Sequence, residues 1–141
     1  MTKAHRTEIF DVNIDKIYNL MIDYEKYPEF VTGVSAIEIL EQSDTHAKVK
    51  YSINLIKKVS YILNLKQVRP SEVSWTLESG DLFKKNNGKW LFKEINEKQT
   101  EATFESEIEL KVFAPKMVVN KLVGSSLPAM MKDYHDRAKS L

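Results

Sequence analysis

The feature that most limits what this chain can fold into is a two-residue alternation of apolar and polar side chains through its middle. It is clearest near the end. Ala102, Phe104, Ser106, Ile108, Leu110 and Val112 alternate with Thr103, Glu105, Glu107, Glu109 and Lys111. Successive strand side chains point to opposite faces, so this pattern builds an antiparallel sheet with one dry and one wet face. Ala47, Val49, Tyr51, Ile53 and Leu55 show the same period, as do Val59, Tyr61, Leu63 and Leu65. Val73, Trp75 and Leu77, then Trp90 and Phe92, continue it. Asn87-Gly88 reads as a hairpin turn, since both residues tolerate positive φ. About six consecutive strands on short turns make a meander between residues 34 and 112.

The flanks carry a different period. Residues from about 3 to 11 read as a first strand. Asn13 is placed to cap a helix with Asp15 in its first turn, and Ile14, Ile17, Tyr18, Met21 and Tyr24 recur at helical spacing. Pro28 interrupts it. Pro115 suits the first turn of a last helix whose stripe includes Val119, Leu122, Val123, Leu127, Met130, Met131, Tyr134 and Ala138. One straight helix over 115–140 would be about 39 Å long, enough to cross a sheet. Gly124-Ser125-Ser126 and Pro128 predict a kink near 124–128. The expected fold is therefore α+β: a curved antiparallel sheet of six to seven strands, two short helices near the N-terminus, and a long C-terminal helix across the sheet. At 141 residues, a single domain over 1–141 accounts for everything.

A curved sheet and a straight helix do not meet flush, so the space between them is filled by large side chains or stays hollow. A hollow there suits a small apolar ligand. Its candidate walls are Tyr51, Tyr61, Trp75, Trp90, Phe92, Phe104, Val123, Leu127, Met130, Met131 and Tyr134. Aromatic rings offer flat apolar walls, and methionines re-pack around varied ligands. An ordinary core uses the same residue types. Ser106 stands on the dry side of the last strand, to orient a ligand carbonyl or, more simply, to bond to backbone or water. Leu82 and Phe83 either close a pocket mouth or continue a strand.

Composition removes several chemistries. Cysteine is absent, which excludes disulfides, thiolate nucleophiles and Cys-ligated metals. His5, His46 and His135 have no metal-ligand spacing, and Ser126 and His135 lie too far apart on one helix to act as nucleophile and base. Glu105, Glu107 and Glu109 sit on the wet side, where pairing with Lys89, Lys93 or Lys111 is expected rather than acid–base work. No phosphate loop, dinucleotide fingerprint or nucleophile elbow occurs. No catalytic residue, metal or cofactor is expected. The formal charge of +1 argues against a DNA partner. Lys57-Lys58 and Lys84-Lys85 are read as solvated charge, with anionic headgroups or ribosomal RNA as the alternative. No signal peptide or transmembrane segment is read, so a cytoplasmic location with at most peripheral membrane contact is expected.

Three blocks carry a resemblance. The first is Asp23-Tyr24-Glu25-Lys26-Tyr27-Pro28-Glu29-Phe30-Val31. The second is Gly80-Asp81-Leu82-Phe83-Lys84-Lys85 with Gly88-Lys89-Trp90-Leu91-Phe92, and the third is Arg137-Ala138-Lys139. With the order of elements, they resemble the START-like superfamily, or polyketide cyclase/dehydrase group, with its helix-grip fold. Within it the coenzyme-Q-binding and ribosome-association toxin branch is most similar. The resemblance implies non-catalytic binding of an isoprenoid quinone or lipid. It implies as alternatives a regulator that contacts the large ribosomal subunit through Lys84, Lys85 and Lys89, or a polyketide aromatase/cyclase.

Overall fold

The computed structural model describes residues 2–54, 58–111 and 127–141. The alternating segments become strands β1 (Thr2–Phe10), β2 (Val34–Gln42), β3 (His46–Asn54), β4 (Lys58–Val68), β5 (Glu72–Gly80), β6 (Phe83–Asn96) and β7 (Gln99–Leu110). They form one antiparallel sheet in the order β1-β7-β6-β5-β4-β3-β2. The last six strands are the expected meander. The first strand crosses over to pair with the last, from Thr2↔Ile108 to Phe10↔Thr100.

The β1–β2 connection holds the two short helices, α1 (Ile14–Met21) and α2 (Tyr27–Phe30), with a 3₁₀ turn Tyr24–Lys26 between them. The Asn13 side chain accepts the Asp15 N–H at 2.9 Å, which satisfies one orphan donor of α1. Ile14, Ile17, Tyr18, Leu20 and Met21 bury its inner face. Pro28 does not end helical structure. It sits in the first turn of α2, where a missing N–H costs nothing. The chain closes on α3 (Leu127–Ser140), which packs against α1, α2 and β1. This is the helix-grip arrangement. The expected helix start at Pro115 and the Gly124-Ser125-Ser126 part of the kink lie outside the described residues, as does Val123.

The turn expected at Asn87-Gly88 is absent: both residues lie inside β6, and the chain reverses instead at 81–82 and 97–98. Gly88 answers to a tertiary demand. It pairs with Trp75 on one side and Ser106 on the other. A Cβ there would lie 2.5 Å from Trp75 Cζ2 and closer still to the Glu105 carbonyl oxygen. Only glycine lets the indole and the neighbouring backbone approach.

The wet face carries the expected charge pairs with partly different partners. Lys89 meets Glu105 at 3.7 Å, as anticipated. Glu107 pairs with Lys85 at 2.9 Å and Glu109 with Lys84 at 3.7 Å, rather than with Lys93 or Lys111. The register explains it: Lys93 stands opposite Glu101, several positions away.

Candidate functional site

The inner face of the sheet faces α1, α2 and α3 across a cavity of about 180 Å³. Tyr51 of β3, Tyr61, Leu63 and Leu65 of β4, and Val73 and Trp75 of β5 form one wall. Phe83, Asn86 and Trp90 of β6, with Phe104, Ser106 and Ile108 of β7, form the next. Met21, Tyr27, Val31 and Val34 close one end, and Met130 and Tyr134 descend from α3.

The rings brace one another instead of filling the space. Tyr134 meets Tyr27, Trp90 and Phe30 edge-on, with centroids 5.6, 5.3 and 5.4 Å apart. Trp90 meets Phe104 edge-on at 5.1 Å. Tyr51 and Tyr61 lie parallel at 5.3 Å, and Tyr61 takes the edge of Phe83 at 5.0 Å. Edge-to-face and offset contacts of this kind hold large rigid side chains in fixed orientations. Two torsions per ring leave little freedom to collapse into a gap, so a hollow framed by rings persists.

The structure divides the expected wall residues. Tyr51, Tyr61, Trp75, Trp90, Phe104, Ser106, Met130 and Tyr134 line the cavity. Phe92 does not: it stacks on Trp90 with ring centroids 6.0 Å apart and belongs to the packed core. Leu127 and Met131 also turn into that core, because Met130 and Tyr134, one helical turn apart, hold the face of α3 that overlooks the hollow. Aliphatic walls such as Leu63, Leu65 and Val73 have no distinguishing mark in an alternating strand. Tyr27 and Phe83 did have one, since both stand in the segments that carry the family resemblance. Phe83 is fully buried in the cavity wall rather than poised over a mouth.

Among the described residues the wall is polar at a few points and charged at none. Among the described residues lining the cavity there is no Asp, Glu, His, Lys or Arg. Burial pushes the phenols of Tyr27, Tyr51, Tyr61 and Tyr134 well above their ordinary range, so each keeps its proton. The Tyr27 hydroxyl donates to the Met21 carbonyl. Trp75 Nε1–H donates to Asn86 Oδ1 at 3.2 Å. Protonated phenols, an amide and one serine hydroxyl can orient a carbonyl or hydroxyl. They supply no base poised near neutral pH. Among the described residues, no group of three or more His, Cys, Asp or Glu could hold a metal ion.

Comparison with known proteins places this geometry. The family model described as polyketide cyclase / dehydrase and lipid transport matches residues 11–134. The chain is 22% identical over 142 residues to the ribosome association toxin RatA of Vibrio cholerae, covering 100% of this chain and 98% of that one. It is 23% identical to RatA of Pseudomonas aeruginosa, covering 99% and 97%. Among solved structures, a START superfamily protein from Mycobacterium smegmatis superposes with a TM-score of 0.85 at 17% identity, over 98% of this chain and 97% of that one. The Zhui aromatase/cyclase from Streptomyces sp. R1128 gives 0.73 at 12% identity, over 99% and 87%.

Proposed function

Because the chain belongs to the polyketide cyclase/dehydrase and lipid transport family, we propose that it is a non-catalytic carrier of a neutral, ring-bearing apolar molecule, held between the sheet and α3. An isoprenoid quinone is the ligand that suits this reading best. One observation carries it: a hollow of about 180 Å³ walled by braced rings, with hydrogen-bond donors but no charge among its described lining residues. A buried carboxylate ligand would find no countercharge among those described residues, and an unpaired charge in such surroundings is costly.

Size sharpens the reading. A dry cavity of about 150 Å³ holds benzene, whereas whole drug-sized ligands take about 300–1,000 Å³. The hollow therefore accepts a ring system, and a long tail must leave it. A ring burying about 150–250 Å² contributes about 4–6 kcal/mol at 25 cal/mol per Å², before association costs. Micromolar binding needs about 8 kcal/mol net, so tail contacts outside the cavity have to supply the remainder.

Organic extraction of the purified protein followed by mass spectrometry should recover a neutral quinone or lipid. Short-chain ubiquinone should also raise the melting temperature in proportion to the logarithm of its concentration. Empty extracts together with no thermal shift from any quinone would remove the carrier reading.

A second reading, a ribosome-associated regulator of translation, draws on the full-length likeness to RatA. Its expected handles are Lys84, Lys85 and Lys89, and each is held by a glutamate of β7, so they present paired charge rather than a basic patch. Salt-sensitive co-sedimentation with large ribosomal subunits supports this role; none at low salt removes it. A cyclase role has the fold likeness to Zhui behind it, but the phenols, Ser106 and Asn86 offer no general base. The described residues contain no helix long and apolar enough to cross a membrane, which suits the proposed cytoplasmic carrier with at most peripheral membrane contact.

A further inference from the structure

Five polar side chains are buried among the described residues: Ser52, Gln67, Asn86, Thr100 and Ser106. Buried polar groups are normally hydrogen-bonded, and three of these are fully so. Gln67 accepts from the Tyr24 hydroxyl at 2.9 Å and donates to the Ser43 and Asp44 carbonyls at 3.1 Å. Thr100 donates to the Val12 carbonyl, and the Ser52 and Ser60 hydroxyls bond to each other at 3.1 Å. The other two, Asn86 and Ser106, are the ones that line the cavity. They are only 7% and 8% exposed, yet Asn86 Nδ2 and Ser106 Oγ have no hydrogen-bond partner among the described residues.

The register brings these two groups together. Asn86 pairs with Ile108, and Gly88, two residues on, pairs with Ser106. Asn86 and Ser106 are therefore diagonal neighbours on one face of the sheet. Such neighbours stand about 7–8 Å apart, with their Cβ atoms closer, so one oxygen between them is within reach of both polar ends. Trp75 decides which end of the amide that oxygen meets. An indole N–H can only donate, so the atom it reaches at 3.2 Å is the amide oxygen, Oδ1. Nδ2 and its two donors are thereby turned away from the indole. Gly88 lets the indole lie there, since a Cβ would come within 2.5 Å of Trp75 Cζ2.

We propose that Asn86 and Ser106 form a subsite for a carbonyl oxygen of the bound ligand, with Trp75 as the positioning residue that keeps the amide donors free for it. This rests on the carrier reading and narrows it: the ring that enters the cavity bears a ketone or quinone oxygen on the edge that faces β6 and β7. The Asn86 amide supplies one donor, and the Ser106 hydroxyl rotates to supply a second. A pure hydrocarbon leaves both donors unpaired in an apolar site, which is costly.

The test compares menadione with 2-methylnaphthalene, the hydrocarbon of the same outline, by isothermal titration calorimetry. The readout is the ratio of their affinities, so changes in cavity size that affect both compounds alike cancel. Asn86→Leu should lower the ratio about tenfold and Ser106→Ala about threefold, the range that one net hydrogen bond represents. Trp75→Phe frees the amide to turn and should lower the ratio about threefold with Asn86 still in place. Trp90→Phe trims a cavity ring but neither donor and should leave the ratio unchanged. Asn86→Leu strands the indole N–H, so the double variant Trp75→Phe/Asn86→Leu, which removes both partners, takes its place where the single variant does not fold. The infrared carbonyl stretch of bound menadione gives a signature that a merely structural role would not move: one band should lie low in the unmodified protein and return upward in N86L. A ratio that holds in N86L and S106A, an equal fall in W90F, or a band that stays put overturns the subsite. A ratio that holds in W75F overturns the positioning role of Trp75. If neither compound binds the unmodified protein, the carrier reading falls and the subsite with it. If both bind and the ratio holds in every variant, the carrier reading stands and the subsite alone falls.

Discussion

Leu63→Phe separates a hollow from a filled core in one substitution. Leu63 lies on β4 between Val49 of β3 and Leu77 of β5, is 4% exposed, and points into the cavity. The change adds about three carbon atoms. If they enter empty apolar space, each contributes up to about 0.8 kcal/mol, so the ceiling is roughly 2.4 kcal/mol of added stability. Part of that is offset by fixing the larger ring and by imperfect fit, which leaves about 0.5–2 kcal/mol. For a chain of this size that is a rise in Tm of roughly 2–8 °C. The same ring occupies the ligand's place, so binding of N-phenyl-1-naphthylamine should weaken tenfold or more. Stability and binding must therefore move in opposite directions, as read by urea denaturation and fluorescence titration. In a core already packed solid the added ring would cost about 1–3 kcal/mol. A loss of that size, with probe binding unchanged, refutes the reasoning.

Other residues give narrower tests. Thr100 is fully buried and its hydroxyl donates to the Val12 carbonyl at 2.9 Å, so Thr100→Val should cost about 1–3 kcal/mol in urea unfolding by orphaning that carbonyl. Asn13→Ala removes the cap of α1 and should cost about 1 kcal/mol without altering probe affinity. The hydrogen bond from Arg137, helped by Lys26, holds the Glu29 carboxyl below its ordinary value of 4.5. A depressed folded-state pKa contributes stability that is present above about pH 4.5 and is lost as pH falls through the lowered value. Glu29→Gln should therefore lower the urea midpoint at pH 7, and the difference from the unmodified protein should fade as pH falls below 4.5 and through the lowered value; a difference that persists in acid contradicts the pairing.

Much of the sheet was legible because burial on one face writes a period of two into the sequence, and β7 shows it almost without interruption. Asn13 and Asp15 announced α1 because capping is a local matter. Asn87-Gly88 misled for the complementary reason: its signal is local, whereas Gly88 is required by an indole arriving from another strand. The aromatic half of the cavity wall was also legible, since Tyr51, Trp75, Trp90 and Phe104 are conspicuous on the dry face. Which of two neighbouring methionines looks into the hollow was not. Met130 and Met131 differ only in their angle around α3, and that angle is fixed by the packing of α3 against α1 and α2. The shortness of the β5–β6 pairing, which runs only from Glu72↔Leu91 to Trp75↔Gly88, was invisible, because an interrupted ladder leaves the alternation of both strands intact.

Pressurising crystals with xenon tests the hollow itself, independently of any ligand's identity. Xenon binds dry apolar cavities of this size. The account predicts a xenon peak between the sheet and α3, in contact with Leu63, Trp90 and Met130, and its loss in Leu63→Phe. Crystals in which that space holds no xenon, because side chains occupy it, would contradict the carrier account at its foundation.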